Sequence, residues 1–115
     1  MLRSRYEEES WDAAGNARAR EQQALAHGIA LLHKVQSGEF GHAECINAML
    51  YIRKLWTFFI EDLSRAENGL PSELRAQLIS IGIWVIKETE KIRLGNPGDL
   101  ESLIAVHTTM RDGLR

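Results

Sequence analysis

The stretch Leu78-Ile79-Ser80-Ile81-Gly82-Ile83-Trp84-Val85-Ile86 decides the fold, because it reads in two ways. Ile79, Ile81, Ile83 and Val85 alternate as the inward side chains of a buried strand do, and β-branched residues favour that setting. A strand, however, needs a neighbour to satisfy its backbone donors and acceptors, and no second alternating run occurs in the chain. A helix satisfies its own backbone, and the surplus of apolar side chains then means a helix covered on more than one side. The expected class is therefore all-α, a single-domain helical bundle of about four helices.

The flanking residues support the helix. Leu70-Pro71-Ser72-Glu73 opens it, with proline where no intrahelical donor is lost and an acidic residue in the first turn, where the helix dipole favours it. Gly95-Asn96-Pro97-Gly98 closes it, and its expected core stripe is Leu74, Leu78, Ile81, Val85 and Ile92. The helix before it is expected from about His42 to Glu67, ended by Asn68-Gly69, with Ile46, Met49, Leu50, Arg53, Trp56, Ile60 and Leu63 as its main stripe. A first helix runs from about Asn16 to Gln36 on Leu25, Ile29, Leu32 and Val35, with Ser37-Gly38 as its left-handed stop. Residues 1–15 are expected to be a loose arm or a helical extension, with a break at Gly15-Asn16. Asp99 suits the N-cap of a fourth helix in which Leu100, Leu103, Ile104, His107 and Met110 share a face.

Composition narrows the function. The 115 residues are 44% apolar and 26% charged, the proportions of one soluble domain over residues 1–115 rather than of a disordered tail. With 14 Lys+Arg against 16 Asp+Glu there is no basic surplus to drive counterion release, so direct nucleic-acid binding is not expected. Arg18 and Arg20 are the nearest approach to a basic strip, and Glu7-Glu8-Glu9 and Glu21 offset them. The single cysteine, Cys45, excludes an internal disulfide and a thiolate zinc site, which points to a reducing, cytoplasmic setting. The apolar run 78–86 is less than half the roughly 20 residues that span a bilayer, so no membrane insertion is expected. Near the start, Glu7-Glu8-Glu9 falls where a signal peptide needs its apolar region.

Catalytic chemistry finds little to work with. Of His27, His33, His42 and His107, only His42 has a close companion, Cys45 at i+3, and no helper ligands follow, so neither a metal nor another cofactor is expected. His107 lies on the apolar face of its helix and is expected to be a satisfied core imidazole rather than a base. There is no Gly-rich phosphate loop and no arguable nucleophile-base order, and Glu61-Asp62 and Glu88/Glu90 read as solvated helix faces. No enzyme is expected.

The informative feature is excess apolar surface. Besides its main stripe, the second helix carries Tyr51, Leu55 and Phe58 on another side; the third carries Ile79, Ile83 and Ile86, with Trp84 at the flank. Such lines are covered by neighbouring helices, by a homodimer seam, or by an amphipathic partner helix lying in a groove. These seven residues form the candidate partner-binding set.

Several of these pieces occur together in a known family. Leu55-Trp56-Thr57 through Ile60-Glu61-Asp62-Leu63, then Asn68-Gly69-Leu70-Pro71 with Leu74-Arg75-Ala76, then Leu78 through Val85, resemble the flagellar biosynthesis regulatory protein FlaF of alphaproteobacteria. The resemblance extends to Arg18-Ala19-Arg20-Glu21 through Leu32 and to Leu103-Ile104 with Arg111-Asp112-Gly113-Leu114, and departs at the extreme N-terminus and around Phe40 to Cys45. It implies a small cytoplasmic non-enzyme needed for flagellin production and filament assembly, working alongside FlbT, a regulator that acts on flagellin messenger RNA. Flagellin is then the expected partner, bound by a chaperone through an apolar helix groove. The alternative it leaves open is a translational regulator acting with FlbT on flagellin mRNA, with Arg18 and Arg20 as its contacts.

Overall fold

Each helix stops where its local chemistry directs. In the computed structural model, which describes the backbone of residues 2–113 and the side chains of residues 16–113, the elements are α1 (Leu2–Ser37), α2 (His42–Ser64), a 3₁₀ turn (Ala66–Asn68), α3 (Ser72–Arg93) and α4 (Leu100–Gly113). Gly38, Gly69 and Gly95 take positive φ values of 78°, 89° and 84° and end α1, the 3₁₀ turn and α3. At the first of these, the Gly38 and Glu39 N–H groups donate to the Val35 and Lys34 carbonyls, which have no intrahelical partner. The Glu44 carboxylate accepts from Gly41 N–H at 3.1 Å to start α2, and Asp99 Oδ1 accepts from Ser102 N–H at 3.0 Å to start α4.

Two boundaries differ from expectation. The expected break at Gly15-Asn16 is absent, and α1 runs through it without interruption. The second helix ends at Ser64, not Glu67, because Arg65 turns to extended backbone at ψ 138°. Arg75 of α3 reaches back to that point, its Nη1 donating to the carbonyls of Leu63 at 3.3 Å and Arg65 at 3.0 Å, so a cation holds the carbonyl end of α2.

Helix α2 is central, packing on α3 along one side and on α1 along the other, while α4 lies along α1. Leu25, Ile29 and Leu32 of α1, Ala48, Met49, Ile52, Trp56 and Leu63 of α2, Val85 of α3, and Leu103 and His107 of α4 are buried, and Leu32, Ala48, Met49, Ile52, Trp56, Val85 and Leu103 pack as one cluster. The approach of α2 to α3 runs through Gly82, where an added Cβ would stand 2.9 Å from Ile60 Cδ1 and 3.1 Å from Trp56 Cε3. Gly28 plays the same part between α1 and α2, with Ile52 Cδ1 2.9 Å from the place of a Cβ.

The expected stripes shift accordingly. On α2 the core line takes in Ala48 and Ile52, while Leu50 is exposed and Arg53 turns outward to pair with Glu90 of α3 at 2.7 Å. On α3, Val85 is buried with Gly82 and Thr89, but Leu74 and Ile81 stand 40% and 36% exposed. Their face is the one that looks toward α4: Glu88, two turns beyond Ile81, meets the start of α4 through the Asp99 N–H. Among the described residues they lack a cover because α4 packs along α1 and not along α3.

Candidate functional site

Helices α3 and α4 both rest on the α1–α2 pair, yet among the described residues they do not pack along each other. Beside the loop that joins them they are tied. Val85 and Leu103 share the core cluster, and the Glu88 carboxylate accepts from Lys91 Nζ at 2.9 Å and from Asp99 N–H at 3.0 Å. Those two donors, the lysine first, hold the Glu88 carboxyl below its ordinary value.

Toward the other end the two helices leave a cleft of about 360 Å³. Phe59 and Leu63 form its floor, with Leu25 and Trp56 beneath; Leu70 and Leu78 line the α3 side, and Thr109, Met110 and Gly113 the α4 side. The charged residues lining it, Glu21 and Asp62, are both acidic. Burial, and secondarily the charge of Asp62, push the Glu21 carboxyl above its ordinary value, against the pull of Arg18 and Arg20. Asn68 fixes Asp62 by donating from Nδ2 to Asp62 Oδ2 at 3.0 Å, while its own Oδ1 accepts from Leu70 N–H at 3.3 Å. The 3₁₀ turn thereby sets the position of both a carboxylate and an apolar wall.

Beneath the floor the polar groups are paired. Trp56 Nε1–H donates to His107 Nε2 at 2.9 Å, which requires the other ring nitrogen to carry the proton and donate to the Leu103 carbonyl at 2.7 Å. Burial pushes the His107 imidazole below its ordinary value of 6.5, so the ring is neutral. Fully buried and with both nitrogens engaged, it is the core imidazole expected from its place on α4.

The seven candidate residues do not share one surface. Tyr51 is half-buried, its hydroxyl donating to the Ala24 carbonyl at 2.9 Å and its ring set edge-on to His27 at 4.8 Å, so α1 covers this residue. Trp84 and Ile86 are half-buried against the core cluster, and Ile79 is half-buried. Leu55 and Phe58 border a shallow depression with Ala17, Arg20 and Ala24 of α1; Phe58 is 58% exposed. Ile83 is 45% exposed. Periodicity had placed Leu74, Leu78 and Met110 in the core and had no means of joining Glu21 to Asp62, so the cleft has no counterpart in the sequence reading.

Among the described residues no helix is long and apolar enough to cross a membrane. No curated protein and no solved structure gives a match to the chain. A family model does: that of the flagellar protein FlaF matches residues 2–114. Since the match takes in all four helices, the cleft between α3 and α4 included, the chain belongs to the FlaF family of flagellar proteins.

Proposed function

We propose that this chain is a cytoplasmic, non-catalytic regulator of flagellum biogenesis, required for flagellin synthesis or secretion and for flagellum assembly, and that it acts as a flagellin-binding chaperone. The observation that carries this reading is apolar surface left uncovered among the described residues: Leu70 and Leu78 wall a cleft floored by Phe59 and Leu63, and Leu74 and Ile81 stand exposed on either side of Leu78 along α3. Flagellin termini are amphipathic helices that must be kept from polymerising early, and laying such a helix in a groove masks its apolar face. Each leucine-sized side chain so buried contributes about 1.5–3 kcal/mol before association costs, enough for a specific complex. Occupancy by flagellin would also report its supply, which links chaperoning to regulation.

The test is a titration of the purified chain against monomeric flagellin, in parallel with the flagellin leader RNA, at two salt concentrations. Saturable, salt-tolerant binding to flagellin is expected. A steeply salt-dependent response to RNA alone would overturn the reading and move the function to translational control with FlbT, with the exposed Arg18 and Arg20 as contacts.

A further inference from the structure

The α3–α4 cleft has the form of a bundle position left vacant. Leu74, Leu78 and Ile81 are spaced four and three apart, so they make one apolar edge two turns long, roughly 10 Å at the helical rise. They face the side where α4 would lie if it followed α3, and α4 follows α1 instead. The opposite edge is Met110 with Thr109, whose side chain is at the surface. Two helices held apart over an apolar floor leave room for a third helix, and two turns of edge match a row of anchors at i, i+3 or i+4, and i+7.

The rim selects the sign of that helix. Glu21 and Asp62 are the charged groups lining the cleft, and the Asp62 charge adds to the burial that holds the Glu21 carboxyl above its ordinary value. A cation set between them would relieve that repulsion, whereas an acidic side chain would add to it. Asn68 keeps Asp62 at the rim, so the carboxylate is placed before any partner arrives.

We propose that the α3–α4 cleft is the seat of the partner helix, and that it takes an amphipathic helix carrying a Lys or Arg beside its apolar row, with the cation between Glu21 and Asp62. The occupant is a basic amphipathic segment of flagellin, so the inference rests on the chaperone reading and adds the site and the charge to it.

The experiment measures binding of the full-length chain to monomeric flagellin by calorimetry, with helical circular dichroism and thermal melts recorded for every variant. Leu74→Glu changes an exposed position one turn from the cleft-lining Leu78 and adds repelling charge, and Thr109→Trp fills the space from an exposed position in the cleft wall. Each is expected to weaken binding about tenfold or more with the melt preserved, a change of roughly 1.4 kcal/mol per decade. The double change Glu21→Gln with Asp62→Asn keeps an acceptor for Asn68 and is expected to weaken binding about threefold to tenfold and to flatten its salt dependence. Leu94→Asp, exposed at the far end of α3, is expected to leave affinity within about twofold. If Leu74→Glu and Thr109→Trp bind as the parent chain does, the cleft is not the seat, although the chaperone reading survives. If the parent chain binds no flagellin, the chaperone reading falls and this proposal falls with it. A concentration-dependent mass that Leu74→Glu abolishes would put a second copy of the chain in the cleft and overturn the flagellin assignment.

Discussion

The two ends of the α3–α4 pair are built from similar residues and end up unlike each other. Near the connecting loop the helices are held by Glu88, which accepts from Lys91 and Asp99, and by Val85 and Leu103 in a common core. At the other end Leu74, Leu78 and Met110 would serve as well as a core, yet Leu74 is 40% exposed and a cleft of about 360 Å³ separates the walls. The difference lies in where α4 is anchored. His107 and Leu103 draw it toward Trp56 and α1, and only the loop brings it to α3. Apolar residues were available at both ends, so apolar content alone does not close a bundle; the polar contacts that set a helix's direction decide which apolar faces find partners.

If that account holds, substitutions at the closed end and under the floor must cost stability, and those at the open end must not. The largest effect is expected for Trp56→Ala, which empties the space under the cleft and leaves His107 Nε2 unpaired. A loss of about 3–5 kcal/mol in denaturant unfolding is expected, typical of a fully buried aromatic. Gly82→Ala comes next. Its Cβ would press on Ile60 and the Trp56 ring, and a net loss of about 1–2 kcal/mol is expected, the overpacking cost being partly offset by the better helix propensity of alanine. Retained stability there would show that α2 and α3 separate more easily than the Gly82 contact implies.

Acid acts on the buried floor and on the closed end at different pH values. The folded His107 binds a proton less readily than the unfolded one, so its contribution is fully present above 6.5 and is lost as pH falls below that value. His107→Gln, which can still accept from Trp56 and donate to Leu103, is expected to flatten the fall in melting temperature as pH drops below 6.5. Glu88 acts at lower pH. Its carboxyl is depressed by Lys91 and Asp99, so its contribution is present above 4.5 and disappears as pH drops through the lowered folded value. In Glu88→Gln that acid limb should be shallower, with the change confined to the closed end. The smallest effect is expected for Leu74→Glu, within about 0.5 kcal/mol of the parent chain in unfolding, because an exposed side chain without a partner contributes little. A large loss would mean that the open end is covered in solution.

Much of this fold was legible in single residues. The glycine stops at Gly38, Gly69 and Gly95, the Asp99 cap and the apolar face of α4 with His107 follow from rules that act within one turn of helix. The end of α2 was not legible, since it depends on Arg75 arriving from α3. Nor was the fate of the surplus apolar lines. Tyr51 and Phe58 lie two turns apart on α2, yet α1 covers the first, through the Ala24 carbonyl, and leaves the second 58% exposed. The cleft was least legible of all. Its acidic rim joins residues 21 and 62, its walls come from α3 and α4, and no local pattern connects them.

Helicity, the place where most helices stop and membership of the flagellar family were readable along the chain, because capping, periodicity and motif order are properties of neighbours in sequence. That α4 follows α1 rather than α3, and with it which leucines are core and which stay exposed, emerged only when the helices were packed together. Burial is a property of a helix pair, and a stripe of leucines is the same in sequence whether or not another helix lies across it.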